Sequence, residues 1–119
     1  MGLRPGADLL GGAACEAILG ALLAFTVLFS GDLQSSFWQL WTPLIATVFA
    51  VKAGQSTSGP SLNPAYCLAW HFHYGLQSPA EHLLVYWVVP ILSGLFGGWA
   101  YLGYQQFRRL PAARHAKTD

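Results

Sequence analysis

Residues 52–72 read Lys52-Ala53-Gly54-Gln55-Ser56-Thr57-Ser58-Gly59-Pro60-Ser61-Leu62-Asn63-Pro64-Ala65-Tyr66-Cys67-Leu68-Ala69-Trp70-His71-Phe72. The stretch opens as a Gly/Ser/Thr/Pro loop and turns apolar at a helix start. Asn63 is a preferred N-cap, because its side-chain oxygen can take an orphan N–H of the first turn. Pro64 is a preferred first helical residue, because the N–H it lacks has no partner there in any case. The helix is expected to end near Tyr74 or Gly75, about half the length of a membrane span. In a soluble protein this would be a surface turn and a short helix. Between two membrane helices it is the pattern of a re-entrant segment, whose irregular backbone must face a water-filled or protein-lined cavity.

Apolar runs lie on both sides. A spanning helix needs about 20 apolar residues, because hydrocarbon offers no water to free backbone groups. Three segments qualify: about Leu9 to Phe29 with the single charge Glu16, about Phe37 to Val51, and about Leu83 to Tyr104 with no charge. Of the 119 residues 54% are hydrophobic and 9% charged, against roughly 25% charged in a soluble domain. The expected fold is therefore an all-α membrane protein of one domain, residues 1–119. It has three transmembrane helices (about 9–29, 37–51 and 83–104), one re-entrant loop and half-helix (about 54–75) and a basic tail (107–119). That tail holds four of the six Lys and Arg residues, which places the C-terminus on the cytoplasmic or equivalent face and the N-terminus opposite. Only Arg4 precedes the first run, which is too long for an ordinary signal core and reads as a retained span.

Small residues mark where helices approach. In the first span Ala13, Ala17, Gly20, Ala21 and Ala24 recur at spacings of three and four. In the third, Gly94 and Gly98 form a GxxxG pair with Ser93 and Gly97 beside it, the device expected where packing replaces a hydrophobic drive. Pro90 is expected to kink that helix. Trp38, Trp41, Trp99 and Tyr101 are candidate interfacial anchors.

The remaining residues exclude more than they suggest. A formal charge of +1 supplies no basic face for phosphates, so nucleic acid is not an expected partner. Cys15 and Cys67 lie in apolar stretches without CxxC or Cys/His spacing and read as small buried residues, not as a disulfide framework or a zinc site. His71 and His73 are two apart, on different faces of a helix, and make no chelate of the i, i+4 kind. No nucleophile has an evident base. No metal, cofactor or enzymatic activity is expected.

Gly59-Pro60-Ser61-Leu62-Asn63-Pro64-Ala65, followed after the half-helix by His82-Leu83-Leu84-Val85-Tyr86-Trp87-Val88-Val89-Pro90-Ile91, closely resembles the second half of an aquaporin. The resemblance covers nearly the whole chain. It implies a fold of six spans and two re-entrant half-helices built as an inverted repeat, of which this chain would supply spans four to six and the second half-helix. It implies a pore in which Asn63, Pro64 and Ala65 stand at the half-helix N-terminus. Asn63 would orient passing water, and the carbonyls of Gly59, Pro60, Ser61 and Leu62 would form a column of acceptors. Glu16 would brace the loop, because a carboxylate inside a membrane helix is expensive unless bonded.

Departures from the family are as informative. Orthodox members carry an arginine of the selectivity filter after the Asn-Pro-Ala element, and here that residue is Tyr66. The other filter positions of this half fall near Val51 and Pro60, which implies an apolar constriction. Glycerol-conducting members have an aspartate where this chain has Cys67. The Asn-Pro-Ala-x-x-Leu-Ala-x-His-Phe run resembles the superaquaporin branch, which implies an intracellular or organelle membrane.

A complete pore of that kind needs two half-helices meeting end to end, and residues 1–62 hold no second Asn-Pro element. Three arrangements remain open: a second chain supplies the missing half, the chain is a non-conducting structural subunit packed on other membrane proteins, or it is a piece of a longer polypeptide. The lipid bilayer and other membrane protein chains are the expected partners. A self-paired dimer would need two opposite insertions, which the basic tail opposes.

Overall fold

Asp8 starts the first helix by accepting the Gly11 N–H on its side chain at 2.9 Å. The computed structural model describes residue 3 and residues 8–75 and 78–115. Helix α1 runs Leu9–Gly31, α2 Ser36–Gly54, α3 Pro64–Tyr74 and α4 Pro79–Leu83, and after a π-helical turn over Leu84–Val88, α5 runs Val89–His115. No strand occurs among the described residues. Ser78 caps α4 by accepting the Glu81 N–H at 3.2 Å, and Gly75, at a φ of 60°, closes α3 in the left-handed conformation that glycine adopts without a Cβ penalty.

The last apolar span is expected over about 83–104, with a kink at Pro90 and a basic tail from 107. The chain is helical from Pro79 through His115, with the π-helical turn placed immediately before Pro90. A proline in a helix lacks an N–H and its ring clashes with the carbonyl four residues back, here that of Tyr86. Widening the preceding turn by one residue takes that carbonyl out of register. Beyond 104, Gln105, Gln106, Arg108 and Arg109 are good helix formers, so the helix carries on where the apolar residues stop. Residues 116–119 of the expected tail lie outside the described residues.

Helix α1 packs chiefly on α5 and to a lesser extent on α2. The small residues at that crossing are not the expected pair. A Cβ on Gly97 would collide with the Ala21 carbonyl and lie 2.8 Å from Ala24 Cβ, and one on Gly20 would collide with Ser93 Oγ, whereas Gly94 and Gly98 face open space. The seam is thus Ser93 and Gly97, one register position away from the GxxxG pair. Tyr101 also turns inward, edge-on to Phe25 at 6.1 Å, while Trp99 is 71% exposed.

The interior is small and nearly half polar. Leu19, Ala50, Cys67, Val85 and Tyr86 are buried beside Glu16, Ser30, Ser58 and Ser93, while Leu10, Phe49, Phe72 and Phe96 stand exposed. Among the described residues two helices are long and apolar enough to span a membrane, Leu9–Gly31 and Pro79–Arg109, and only 11% and 28% of their apolar windows are buried. A core helix of a soluble protein would be mostly covered, so the apolar faces here are built for hydrocarbon. Helix α2 has 19 residues but is diluted by Gln39, Pro43 and Lys52. The molecule is an all-α membrane protein.

Candidate functional site

The site begins at Glu16, which is fully buried about a third of the way along α1. Its Oε1 accepts the Ser61 N–H at 3.2 Å and its Oε2 the Leu62 N–H at 3.3 Å. The bonds fall at the end of the Gly54 to Ser61 loop and one residue beyond it. Leu62 sits at a φ of 51°, a left-handed conformation that costs a residue with a Cβ about 1–2 kcal/mol. Bonding to a buried carboxylate is of similar or greater size and holds the residue there.

Two further contacts hold the same loop. Tyr86, fully buried, donates its hydroxyl to the Ser58 carbonyl at 2.6 Å. Gly54 accepts the N–H groups of Thr57 and Gly59 on its carbonyl at 3.1 and 3.0 Å. Its α-carbon lies so near Pro60 that a Cβ would meet Pro60 Cγ at 2.6 Å and Leu19 Cδ1 at 2.9 Å. Residues from α1, α2 and the π-helical turn therefore converge on one irregular segment.

That segment delivers the N-terminus of α3. Asn63 caps the helix, its Oδ1 accepting the Ala65 N–H at 3.0 Å, and Pro64 is the first helical residue. The exposed Asn63 is left with its Nδ2 group as a donor toward the outside. The carbonyls of Gly59, Pro60, Ser61 and Leu62 accept no hydrogen bond from a described backbone group. Tyr66 packs edge-on to Trp70 at 6.2 Å, and Trp70 stacks on Tyr74 at 4.6 Å. On the neighbouring face of α3, Cys67 is buried against Val85 and Tyr86, with Sγ 3.8 Å from His82 Nδ1. His71 stacks on the His82 ring at 4.3 Å, and Trp87 Nε1 donates to His82 Nε2 at 3.2 Å. No group of three His, Cys, Asp or Glu side chains able to hold a metal occurs among the described residues.

Beside the loop lies an open groove of about 520 Å³, walled by Thr47, Val48, Val51 and Lys52 of α2, by Gln55, Gly59 and Pro60 of the loop, and by Trp70 of α3. The groove brings Val51, Gly59 and Pro60 together. Glu16 lies behind the loop, and Ser61 is bonded to it. Asn63, Ala65 and Tyr66 are exposed at the head of α3 outside the groove wall. Sequence reasoning missed Lys52, Gln55, Thr47 and Trp70. The available signal was Lys52, the one Asp, Glu, Lys or Arg residue between positions 33 and 80. Helical spacing from Val51 places Thr47, Val48 and Gln55 on the same face. Chemically the groove offers one cation, one amide and one hydroxyl on an otherwise apolar wall.

Comparison with known proteins finds one kind of relative. The chain is 30% identical over 97 residues to aquaporin SIP1-1 of Oryza sativa subsp. japonica, covering 79% of this chain and 39% of that protein. It is 32% identical over 92 residues to aquaporin SIP1-1 of Zea mays (76% and 38%), and 31% identical over 101 residues to aquaporin SIP2-1 of Zea mays (80% and 41%). The chain thus spans about two-fifths of the length of the curated relatives it matches, a share consistent with one half of such a protein. No family model matches, and no solved structure gives a significant match.

Proposed function

Because this chain belongs to the aquaporin family, we propose that it is one half of an aquaporin-like pore for water or a small neutral solute, completed by another chain. In this reading α1, α2 and the helix from Pro79 onward each cross the bilayer, and the loop after Gly54 re-enters with α3 as a half-helix. The observation that carries it is the buried Glu16 carboxylate holding the Ser61 and Leu62 N–H groups. A membrane protein gains from burying a carboxylate inside an apolar helix only where it fixes something, and what it fixes is the N-terminus of α3. The unbonded carbonyls of residues 59–62 and the Asn63 amide are costly in lipid and useful on a wet path. The positive end of the α3 dipole disfavours cations there, while the carbonyls and the Asn63 amide leave neutral hydrogen-bonding solutes admissible. The exposed apolar flank of α2 and the groove beside it supply a surface for the second half. Spans, re-entrant loop and basic end form one unit, and its membrane belongs to an intracellular compartment.

The second reading, a non-conducting structural subunit, draws support from the groove wall, where Trp70, Val51 and Pro60 present bulk. Depth separates re-entry from surface attachment. A nitroxide on Ala65→Cys, in a chain whose own cysteines are replaced by serine, is expected to relax with oxygen and with a water-soluble nickel chelate as a label near the midplane beside water does. A label reporting the lipid–water boundary would remove the half-helix from the proposal.

A further inference from the structure

We propose that the cleft between the end of α1 and the late turns of α5 binds the phosphate of a monoanionic phospholipid headgroup. The cleft encloses about 370 Å³ and is lined by Asp32, Gln105, Arg108 and Arg109. It lies at the bilayer boundary, because Arg108 and Arg109 are the first charged residues after the apolar run of the last helix and basic residues just past a span sit at the depth of lipid phosphates.

The charges in the cleft are not balanced from within. Asp32 accepts from Gln105 Nε2 at 3.4 Å, and no carboxylate pairs with either guanidinium among the described residues. Arg108 lies with its Cζ 5.7 Å above the centre of the Tyr104 ring. That ring is itself held edge-on between Phe25 and Phe29, both at 5.8 Å. A guanidinium seated on a fixed aromatic face keeps its planar edge available to a phosphate oxygen and loses less freedom on binding. Two arginines against one aspartate leave a surplus of one positive charge, which a phosphodiester matches. The carbonyl end of α1 and Asp32 temper that field without cancelling it, so the singly negative glycerol headgroup fits better than the net-neutral choline headgroup.

The test uses the full chain in detergent micelles supplied with phosphatidylglycerol or phosphatidylcholine, with retained lipid counted by native mass spectrometry. Phosphatidylglycerol is expected to be retained at least tenfold over phosphatidylcholine. The double variant Arg108→Gln/Arg109→Gln should lose that preference, Arg114→Gln should keep it, and Asp32→Asn should retain the lipid more tightly. An unchanged helical circular dichroism spectrum shows that the double variant is folded, and Arg108→Lys/Arg109→Lys should be intermediate. Displacement of the lipid by millimolar inorganic phosphate would make this a site for soluble phosphate and overturn the lipid assignment. Equal loss with Arg114→Gln, or no preference at all, would reduce it to bulk charge and overturn it as well.

Discussion

Glu16 is the residue on which the local geometry depends most. Its two oxygens each take one backbone N–H, and a buried N–H left without a partner costs about 1–3 kcal/mol. Glu16→Leu is therefore expected to destabilise the chain by about 2–5 kcal/mol, lowering the detergent-solution melting temperature and speeding amide exchange at Ser61 and Leu62. Glu16→Gln keeps one acceptor oxygen and should lose about half as much. If Leu matched wild type in amide exchange at these two positions, the carboxylate would not be what holds the loop. Gly54 makes a second residue-scale case. Pro60 Cγ would stand 2.6 Å from an added Cβ, so Gly54→Ala should displace the loop and cost about 1–3 kcal/mol, read as a lowered melting temperature.

At the scale of elements, the crossing of α1 and α5 distinguishes four nearby small residues. Gly97→Ala drives a methyl group into the Ala21 carbonyl and should lower stability by about 1–3 kcal/mol. Gly98→Ala meets open space and should be neutral or stabilise by up to about 1 kcal/mol through helix propensity. A thermal melt of the two variants side by side checks the pair, and equal effects would mean the seam is misplaced. This contrast also shows what could be read from the sequence. Asn63, Pro64 and Gly75 are local signals whose chemistry does not depend on the rest of the chain, so both ends of α3 were legible. Which face of α5 meets α1 depends on rotation about the helix axis, and two overlapping small-xxx-small pairs cannot resolve that in a one-dimensional pattern. Pro90 was legible as a disturbance, but that the turn before it widens is decided by neighbours. Lys52 and Trp70 escaped notice because their meeting across the groove depends on how the loop folds back.

For the whole molecule, the apolar surface and the groove lie together on the side of α2 and the loop. Buried side chains gather around Glu16, Tyr86 and Cys67, while most large apolar groups of α2 remain outside. In the proposed reading, a chain whose match spans two-fifths of its relatives' length presents to a second chain the wall that the other half covers in a complete pore. The groove wall is otherwise apolar around Lys52, Gln55 and Thr47. An open groove in lipid does not hold a continuous file of water across about 30 Å of hydrocarbon, so conduction should require that second chain.

Osmotic shrinkage of vesicles containing this chain alone, followed by stopped-flow light scattering, tests that requirement most directly. The expected rate is that of protein-free vesicles, for wild type and for Asn63→Leu alike. A rate well above it that disappears in Asn63→Leu would contradict the account, because the chain would then form a conducting pore without another half.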